Sequence, residues 1–168
     1  MRTIHVDTII ENVREMCIEA NHFLSPDMKV ALEHATVCEE APLGKQILQQ
    51  LQENLHIAGE DMIPICQDTG MAVIFMEIGQ EVHFEGGYLE EAINEGVRQG
   101  YVEGYLRKSV VSDPIIRDNT KDNTPAVIHY NIDVKKVFYI FTENSGGISM
   151  KKTLSILMSI LTIVLSLT

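Results

Sequence analysis

Residues 64–76 read Pro64-Ile65-Cys66-Gln67-Asp68-Thr69-Gly70-Met71-Ala72-Val73-Ile74-Phe75-Met76, and here the sequence changes from helical to strand patterning. The apolar run that begins at Met71 is too short and too uniformly apolar for a surface helix, so it predicts a buried strand. The polar residues before it predict a loop at the mouth of that strand, where functional sites are often built. This junction divides the chain into a helical first part and a mixed second part.

Three amphipathic helices are predicted before the junction. Their starts are indicated by a capping box, by an N-cap followed by proline, and by a second proline: Thr8 with Glu11, Ser25 with Pro26, and Pro42. Each start is followed by apolar residues at helical spacing. We expect the second helix to end near Glu40 and the third to stop at Gly59.

Two hairpins are predicted after the junction, because short apolar runs rich in β-branched residues recur there. The first pairs residues 71–76 with residues 82–84, and the second pairs Ala126–Ile132 with Val137–Phe141. A helix lies between the two pairs. This order favours an α+β fold, with N-terminal amphipathic helices followed by a mixed sheet and a glycine-striped helix.

The helix between the hairpins is predicted from about Tyr88 to Leu106 and carries Gly96, Gly100 and Gly104 at intervals of four. A glycine inside a helix costs about 1 kcal/mol relative to alanine, so we expect another segment or a ligand to approach this bare face closely. Arg107 follows it. Its guanidinium could hold a carboxylate in bidentate geometry, and a solvated surface arginine is the alternative.

The composition is that of an ordered globular protein with an acidic surface. The 168 residues are 45% hydrophobic and carry a formal net charge of −11. This hydrophobic content excludes a chain that is disordered throughout. The net charge argues against nucleic acid and anionic membrane surfaces as partners. Three cysteines are too few for a disulfide framework, and the N-terminus has no secretory signal. A cytoplasmic location is therefore predicted.

The junction contains three groups that could carry chemistry. Cys66 could be a thiolate ligand or nucleophile, Gln67 a neutral hydrogen-bonding group, and Asp68 a carboxylate for proton transfer. A capped turn with a buried cysteine is the alternative, and Asp68-Thr69-Gly70 also matches the short aspartic protease signature, which would require a homodimer. Cys17 and Cys38 are predicted to pack in the core, and the histidines lack the paired spacing of a zinc site.

Five longer motifs occur in one order along the chain. They are Pro42-Leu43-Gly44-Lys45, the segment from Ile63 to Gly70, Ile93-Asn94-Glu95-Gly96-Val97, Tyr105-Leu106-Arg107-Lys108-Ser109 and Asn123-Thr124-Pro125-Ala126. Over about residues 1–142 the sequence thus resembles the alpha subunit of class I fumarate hydratases and L-tartrate dehydratases. The resemblance implies an iron–sulfur hydro-lyase that converts a C4 dicarboxylate, with fumarate to malate expected first. An L-tartrate dehydratase subunit and a non-catalytic remnant that binds a beta-type partner are the alternatives.

The resemblance also implies roles for individual residues. Cys66 would be one of three cysteines that hold a [4Fe–4S] cluster, whose open iron can act as a Lewis acid. Gln67, Asp68 and Arg107 would contact the dicarboxylate substrate, with Asp68 in proton transfer and Arg107 clamping a carboxylate. Further groups would come from a beta-type subunit or a fused C-terminal domain.

The sequence departs from the family pattern near residue 143. The family continues with a Lys-Gly-Gly-Gly-Ser segment, where this chain has Glu143-Asn144-Ser145-Gly146-Gly147, and the two other cluster cysteines are missing. We therefore divide the chain into an alpha-type domain at 1–142 and an atypical apolar tail at 143–168, which we attribute to truncation or a change of reading frame. The tail is short for a membrane anchor. We expect the chain alone to be inactive. Lys121 also replaces a family glycine.

Overall fold

The computed structural model of the chain describes residues 2–65, 70–134, 138–144 and 154–155, the last two ranges by their backbone. The elements in chain order are β1 (Arg2–His5), α1 (Val6–His22), α2 (Pro26–Cys38), α3 (Pro42–Asp61), β2 (Ala72–Gly79), β3 (Val82–Glu85), α4 (Leu89–Glu103), β4 (Val127–Asp133), β5 (Phe138–Asn144) and β6 (Leu154–Ser155). The predicted α+β class is confirmed, and β2 is the strand expected after the junction. Among the described residues, no helix has the length and apolarity needed to cross a membrane.

Two of the three predicted helix starts are confirmed, and one is wrong. The second and third helices begin at Pro26 and Pro42, as predicted. The predicted capping box at Thr8 is wrong, because α1 begins at Val6 and its N-cap is His5, whose Nδ1 accepts a hydrogen bond from the Asp7 amide. An imidazole can replace the usual hydroxyl or carboxylate at this position because its unprotonated nitrogen is also an acceptor.

The helix ends differ from the expectations. Helix α2 ends at Cys38, slightly before the predicted Glu40, and α3 continues through Gly59 to Asp61. Gly59 lies inside α3, and a Cβ added there would lie 3.3 Å from the ring of Phe23. The helix stops at Met62, which has a left-handed backbone conformation with φ of 51°.

A four-stranded mixed sheet has the order β4-β2-β5-β6, and a separate two-stranded sheet pairs β1 with β3. Strand β2 pairs in parallel with β4 and antiparallel with β5. Both predicted hairpins are therefore wrong, because β3 pairs with β1 in parallel, and β4 and β5 flank β2 on opposite sides instead of pairing with each other. A parallel partner requires a long crossover, and α4 lies in the connection between β2 and β4.

The core is formed where α1 and α4 meet the sheet. The fully buried side chains of Ile9 and Val13 on α1 belong to the same cluster as Ile93 and Val97 on α4 and Ile74 on β2. Burying one such side chain stabilises the fold by about 1.5–3 kcal/mol relative to leaving it exposed. Helix α2 contributes nothing to this cluster, since none of its residues is buried within the described part of the chain.

The glycine stripe of α4 allows α1 to approach closely, as predicted. A Cβ added to Gly96 would lie 2.7 Å from the carbonyl oxygen of Ile10, and one added to Gly100 would lie 2.7 Å from Cys17 Cβ. Gly104 does not continue the helix but caps it. The segment that the bare face accommodates is therefore another helix.

Candidate functional site

The predicted site residues fall in two parts of the chain. Cys66, Gln67 and Asp68 lie outside the described residues, so their proposed roles stay predictions. The structure does describe the residues on both sides of them, Ile65 and Gly70. It also describes Arg107, which follows α4. The described residues show how the backbone around these two parts is held.

The end of α1 fixes the chain just before Cys66. The Ile65 amide donates a hydrogen bond of 2.8 Å to the carbonyl oxygen of Asn21. Next to it, the buried ring of His22 lies with Nδ1 2.6 Å from the Ile18 carbonyl oxygen and Nε2 3.1 Å from the Met62 carbonyl oxygen. These contacts connect the last turn of α1 to the segment that leaves α3, and so they anchor the approach to residues 66–69.

Arg107 is presented by a sharp turn at the end of α4. Tyr105 has φ of 54°, and the Leu106 amide donates a hydrogen bond of 3.1 Å to the Tyr101 carbonyl oxygen. Leu106 is buried in the core, whereas Arg107 is exposed. Burial of the preceding leucine holds the backbone in place, and Arg107 itself is exposed at the surface.

Asn123 connects the two parts of the predicted site. Its side chain is fully buried, and its Oδ1 accepts hydrogen bonds from the amides of Ser109 and Val110 at 2.6 and 2.9 Å. Its Nδ2 donates to the Gly70 carbonyl oxygen at 3.4 Å. Ser109 lies two residues after Arg107, and Gly70 lies two residues after Asp68. One amide group therefore bonds to the backbone beside both parts.

The turn that carries Asn123 is held on α4 by its neighbours. Asp122 accepts a hydrogen bond of 3.0 Å from Nε of Arg98, and the Ala126 amide donates one of 2.8 Å to Oδ1 of Asn94. Partial burial raises the pKa of Asp122, but hydrogen bonds from Arg98 and Thr124 outweigh it and lower the pKa to about 2. Asp122 is therefore an anion at neutral pH and serves as an anchor.

One polar atom beside this connection has no hydrogen-bond partner within the part of the chain that the structure describes. The hydroxyl oxygen of Ser109 is buried and makes no hydrogen bond with the described residues. Buried hydroxyl groups are almost always hydrogen-bonded, and leaving one unpaired costs about 1–3 kcal/mol. The unsatisfied group lies between Arg107 and the Asn123 connection, on the segment that the sequence predicts to carry substrate contacts.

The described residues do not complete an iron–sulfur ligand set. Cys17 is buried in the core, and this burial raises the pKa of its thiol to about 12, so it stays protonated. Cys38 was predicted to be buried, but it is exposed at the end of α2, beside His34. Within the described ranges no group of three or more His, Cys, Asp or Glu side chains is arranged to hold a metal ion. The residues present do not fit a cluster that needs three cysteine ligands from this chain alone.

Comparison with known proteins identifies the family. The sequence model described as fumarate hydratase (Fumerase) matches residues 10–164. The chain belongs to this family. A Methanocaldococcus jannaschii protein with the provisional name L(+)-tartrate dehydratase subunit alpha is 38% identical over 118 residues, which are 70% of this chain and 40% of that protein.

Two fumarate hydratases give the same result at a greater distance. The Escherichia coli protein named fumarate hydratase class I, anaerobic, is 36% identical over 64% of this chain and 20% of its own length. The Leishmania major protein named fumarate hydratase 1, mitochondrial, is 33% identical over 66% of this chain and 20% of its own length. The chain thus spans less than half the length of these relatives. The family match extends past residue 142, and the division of the chain at that point stays a prediction.

Sequence reasoning missed the connecting role of Asn123. The motif Asn123-Thr124-Pro125-Ala126 was interpreted as a turn that delivers the chain into a strand, or as a polar substrate rim. The available signal was the density of Asn, Asp and Thr before β4, which is more than a two-strand connection needs. It could not show which side chain turns inward, because the partners of Asn123 lie 13 to 53 residues away.

Proposed function

We propose that this chain forms part of an iron–sulfur hydro-lyase that adds or removes water across a C4 dicarboxylate, with fumarate and malate as the first substrate pair. The observation that carries the proposal is membership of the fumarate hydratase family over residues 10–164. The Asn123 connection supports it, because the backbone beside Arg107 and the backbone beside residues 66–69 bond to one buried side chain.

The proposed roles follow from the chemistry of the reaction. Hydration of fumarate delivers a hydroxyl group to one carbon and a proton to the next, so the enzyme must hold both carboxylates and supply a proton. Arg107, exposed at the end of α4, would bind one carboxylate through two parallel N–H donors. Asp68 would transfer the proton, and Gln67 would hydrogen-bond the substrate. The remaining carboxylate contacts would come from a beta-type subunit or a fused C-terminal domain.

Cys66 is the proposed cluster ligand of this chain. The core position of Cys17 supports this choice, because a buried, protonated thiol cannot bind iron without unpacking α1 from α4. The two further cysteine ligands of a [4Fe–4S] cluster would come from outside this sequence. The exposed Cys38 thiol and a cluster of this kind would persist in a reducing compartment, so the proposal includes a cytoplasmic location.

L-tartrate is the second candidate substrate. It is favoured by the 38% identity to the M. jannaschii protein, whose provisional name is that of a tartrate dehydratase alpha subunit. Tartrate differs from malate by one additional hydroxyl group, and the dehydration uses the same two carboxylates. The two substrates are distinguished by direct assay.

The test is anaerobic reconstitution with iron and sulfide, performed on the chain alone and with a beta-type subunit of the family. We expect no cluster on the chain alone, and a cluster with hydration of fumarate or dehydration of tartrate in a combination that supplies the missing ligands. Cys66→Ala should abolish both, whereas Cys38→Ala, which removes the exposed thiol of α2, should leave them unchanged. A cluster that forms equally well on the Cys66→Ala chain would contradict the proposal.

A further inference from the structure

We propose that Asn123 is a positioning residue. It holds Gly70, which directly follows residues 66–69, close to Ser109 and Val110, which follow Arg107. The inference rests on the proposed function for its meaning, because it names what sets the spacing between the two parts of the candidate site. It goes beyond that function because no chemistry is required of Asn123 itself. Its side chain is buried and bonds to backbone atoms.

The chemistry of the amide group explains why this position suits asparagine. The connection needs an acceptor for the two amides of Ser109 and Val110 and, on the same planar group, a donor for the Gly70 carbonyl oxygen. The side-chain amides of Asn and Gln combine these functions without a change of protonation state, and their oxygen has two lone pairs for the two amides. The backbone of Asn123 has φ of 62°, a left-handed conformation that asparagine adopts more readily than most residues.

The bonding pattern separates positioning from general packing. Three of the partners are backbone atoms, so those bonds hold the two segments whatever side chains the segments carry. The Asn123 side chain also hydrogen-bonds the side chain of Tyr101 on α4. The backbone partners are 13, 14 and 53 residues from Asn123 and belong to two segments that no described backbone hydrogen bond joins to each other. Asn123 also directly follows Asp122, whose carboxylate accepts a hydrogen bond from Arg98 on α4. This bond holds the backbone next to Asn123 in place.

The three cysteines allow a direct test in the full chain. Mass spectrometry can follow alkylation by iodoacetamide at each cysteine separately. Cys38 is exposed and gives the intrinsic rate, whereas Cys17 is buried and reacts only when the core opens. The alkylation rate of Cys66 reports on residues 66–69, which directly precede Gly70. The ratio of the Cys66 rate to the other two rates therefore measures local positioning separately from global stability.

The variant Asn123→Asp keeps an acceptor for Ser109 and Val110 and loses the side-chain donor to Gly70 and to Tyr101. We expect it to change the Cys66 rate about three- to tenfold relative to Cys38, the range that the loss of the hydrogen bond to Gly70 gives, with Cys17 unchanged. The matched control is Asn119→Asp on the same turn, which loses a donor to the Lys108 carbonyl oxygen and no bond to Gly70. An unchanged Cys66 rate, an equal response in the control, or a parallel rise at Cys17 would overturn the proposal.

A second measurement needs no variant and covers the case in which Asn123→Asp does not fold. In the wild-type chain at urea concentrations below unfolding, the Ser109 and Val110 amides should begin to exchange with solvent together with the change at Cys66, and before Cys17 reacts. If Cys66 changes only when Cys17 does, Asn123 has no separate positioning role. Both measurements use metal-free protein, so they give an answer even if the cluster or the hydro-lyase activity proves absent.

Discussion

Lys121 and Asn123 show how much single residues can reveal before a structure is known. Both have left-handed backbones, with φ of 69° and 62°. The family resemblance implies a glycine where this chain has Lys121, and glycine adopts a positive φ readily, but no backbone conformation was predicted from it. The inward direction of the Asn123 side chain was not visible either, because it depends on Gly70 and Ser109 arriving from distant parts of the chain.

Asp122 predicts an acid-dependent loss of stability. Its pKa is about 2 in the folded chain, below the ordinary value of 3.8, so the unfolded chain takes up the proton first as the pH falls. The contribution of the Asp122 carboxylate to the free energy of unfolding is present above about pH 4 and is lost towards pH 2. We expect it to reach at most about 2 kcal/mol, because the side chain is 24% exposed and water screens the pair.

The measurement is urea unfolding of the wild type and Asp122→Asn between pH 5 and pH 2. The wild type should lose the advantage over the variant across this interval. Arg98→Gln should flatten the profile in the same way, and the double variant should add little to either change because the two groups form one interaction. A constant difference between the wild type and Asp122→Asn at every pH would rule out this origin.

The contact between helices α1 and α4 agrees with the prediction that a segment or a ligand approaches the glycine stripe, although the sequence did not indicate which one. Glycines repeated at intervals of four require a close neighbour, and the structure supplies α1. The strand pairing could not be predicted in the same way. A turn signal next to β2 suggested a hairpin, but β2 pairs with strands that lie about 50 and 60 residues further along the chain, and β3 pairs with the four-residue β1. The pattern of apolar and polar residues predicts which face of a strand is buried, but it does not predict which strand it pairs with.

Gly96→Ala should weaken the contact between α1 and α4. The new Cβ would lie 2.7 Å from both the Ile10 carbonyl oxygen and Val13 Cβ, and neither backbone nor core can move away cheaply. We expect the free energy of unfolding to fall by about 1–3 kcal/mol despite the better helix propensity of alanine. Urea unfolding followed by circular dichroism measures the change.

Gly59→Ala is the control for this substitution. It also lies inside a helix, but its Cβ would meet the ring of Phe23 at 3.3 Å, and that ring is 36% exposed and free to shift. We expect this variant to be as stable as the wild type or more stable by up to about 1 kcal/mol. Equal losses at both positions would show that the close approach at Gly96 does not limit stability.

At the scale of the whole molecule, the family predicted from the sequence is confirmed, whereas the two parts of the candidate site stay predictions. The sequence did not show how those parts are joined, because the connection runs through a buried side chain in a turn. The predicted boundary at residues 142–143 lies inside β5, which spans Phe138–Asn144. This strand lies next to β2 and carries the fold beyond the point where the family motif changes.

Shortened chains test the contribution of β5. Strand β2 pairs with it from Ala72 opposite Asn144 to Ile78 opposite Phe138, and the other side of β2 pairs with β4. A chain of residues 1–134 would leave one edge of β2 without a partner while Ile74 and Met76 still face the core. We therefore expect residues 1–134 to aggregate or to unfold at much lower urea concentration than the full chain. Among the described residues, residues 1–144 lose the two residue pairs of β5 with β6, so they should unfold close to the full chain in a parallel experiment. If residues 1–134 prove as stable as residues 1–144, β5 contributes nothing to the fold, and the α1, α4 and β2 core with β4 is sufficient by itself.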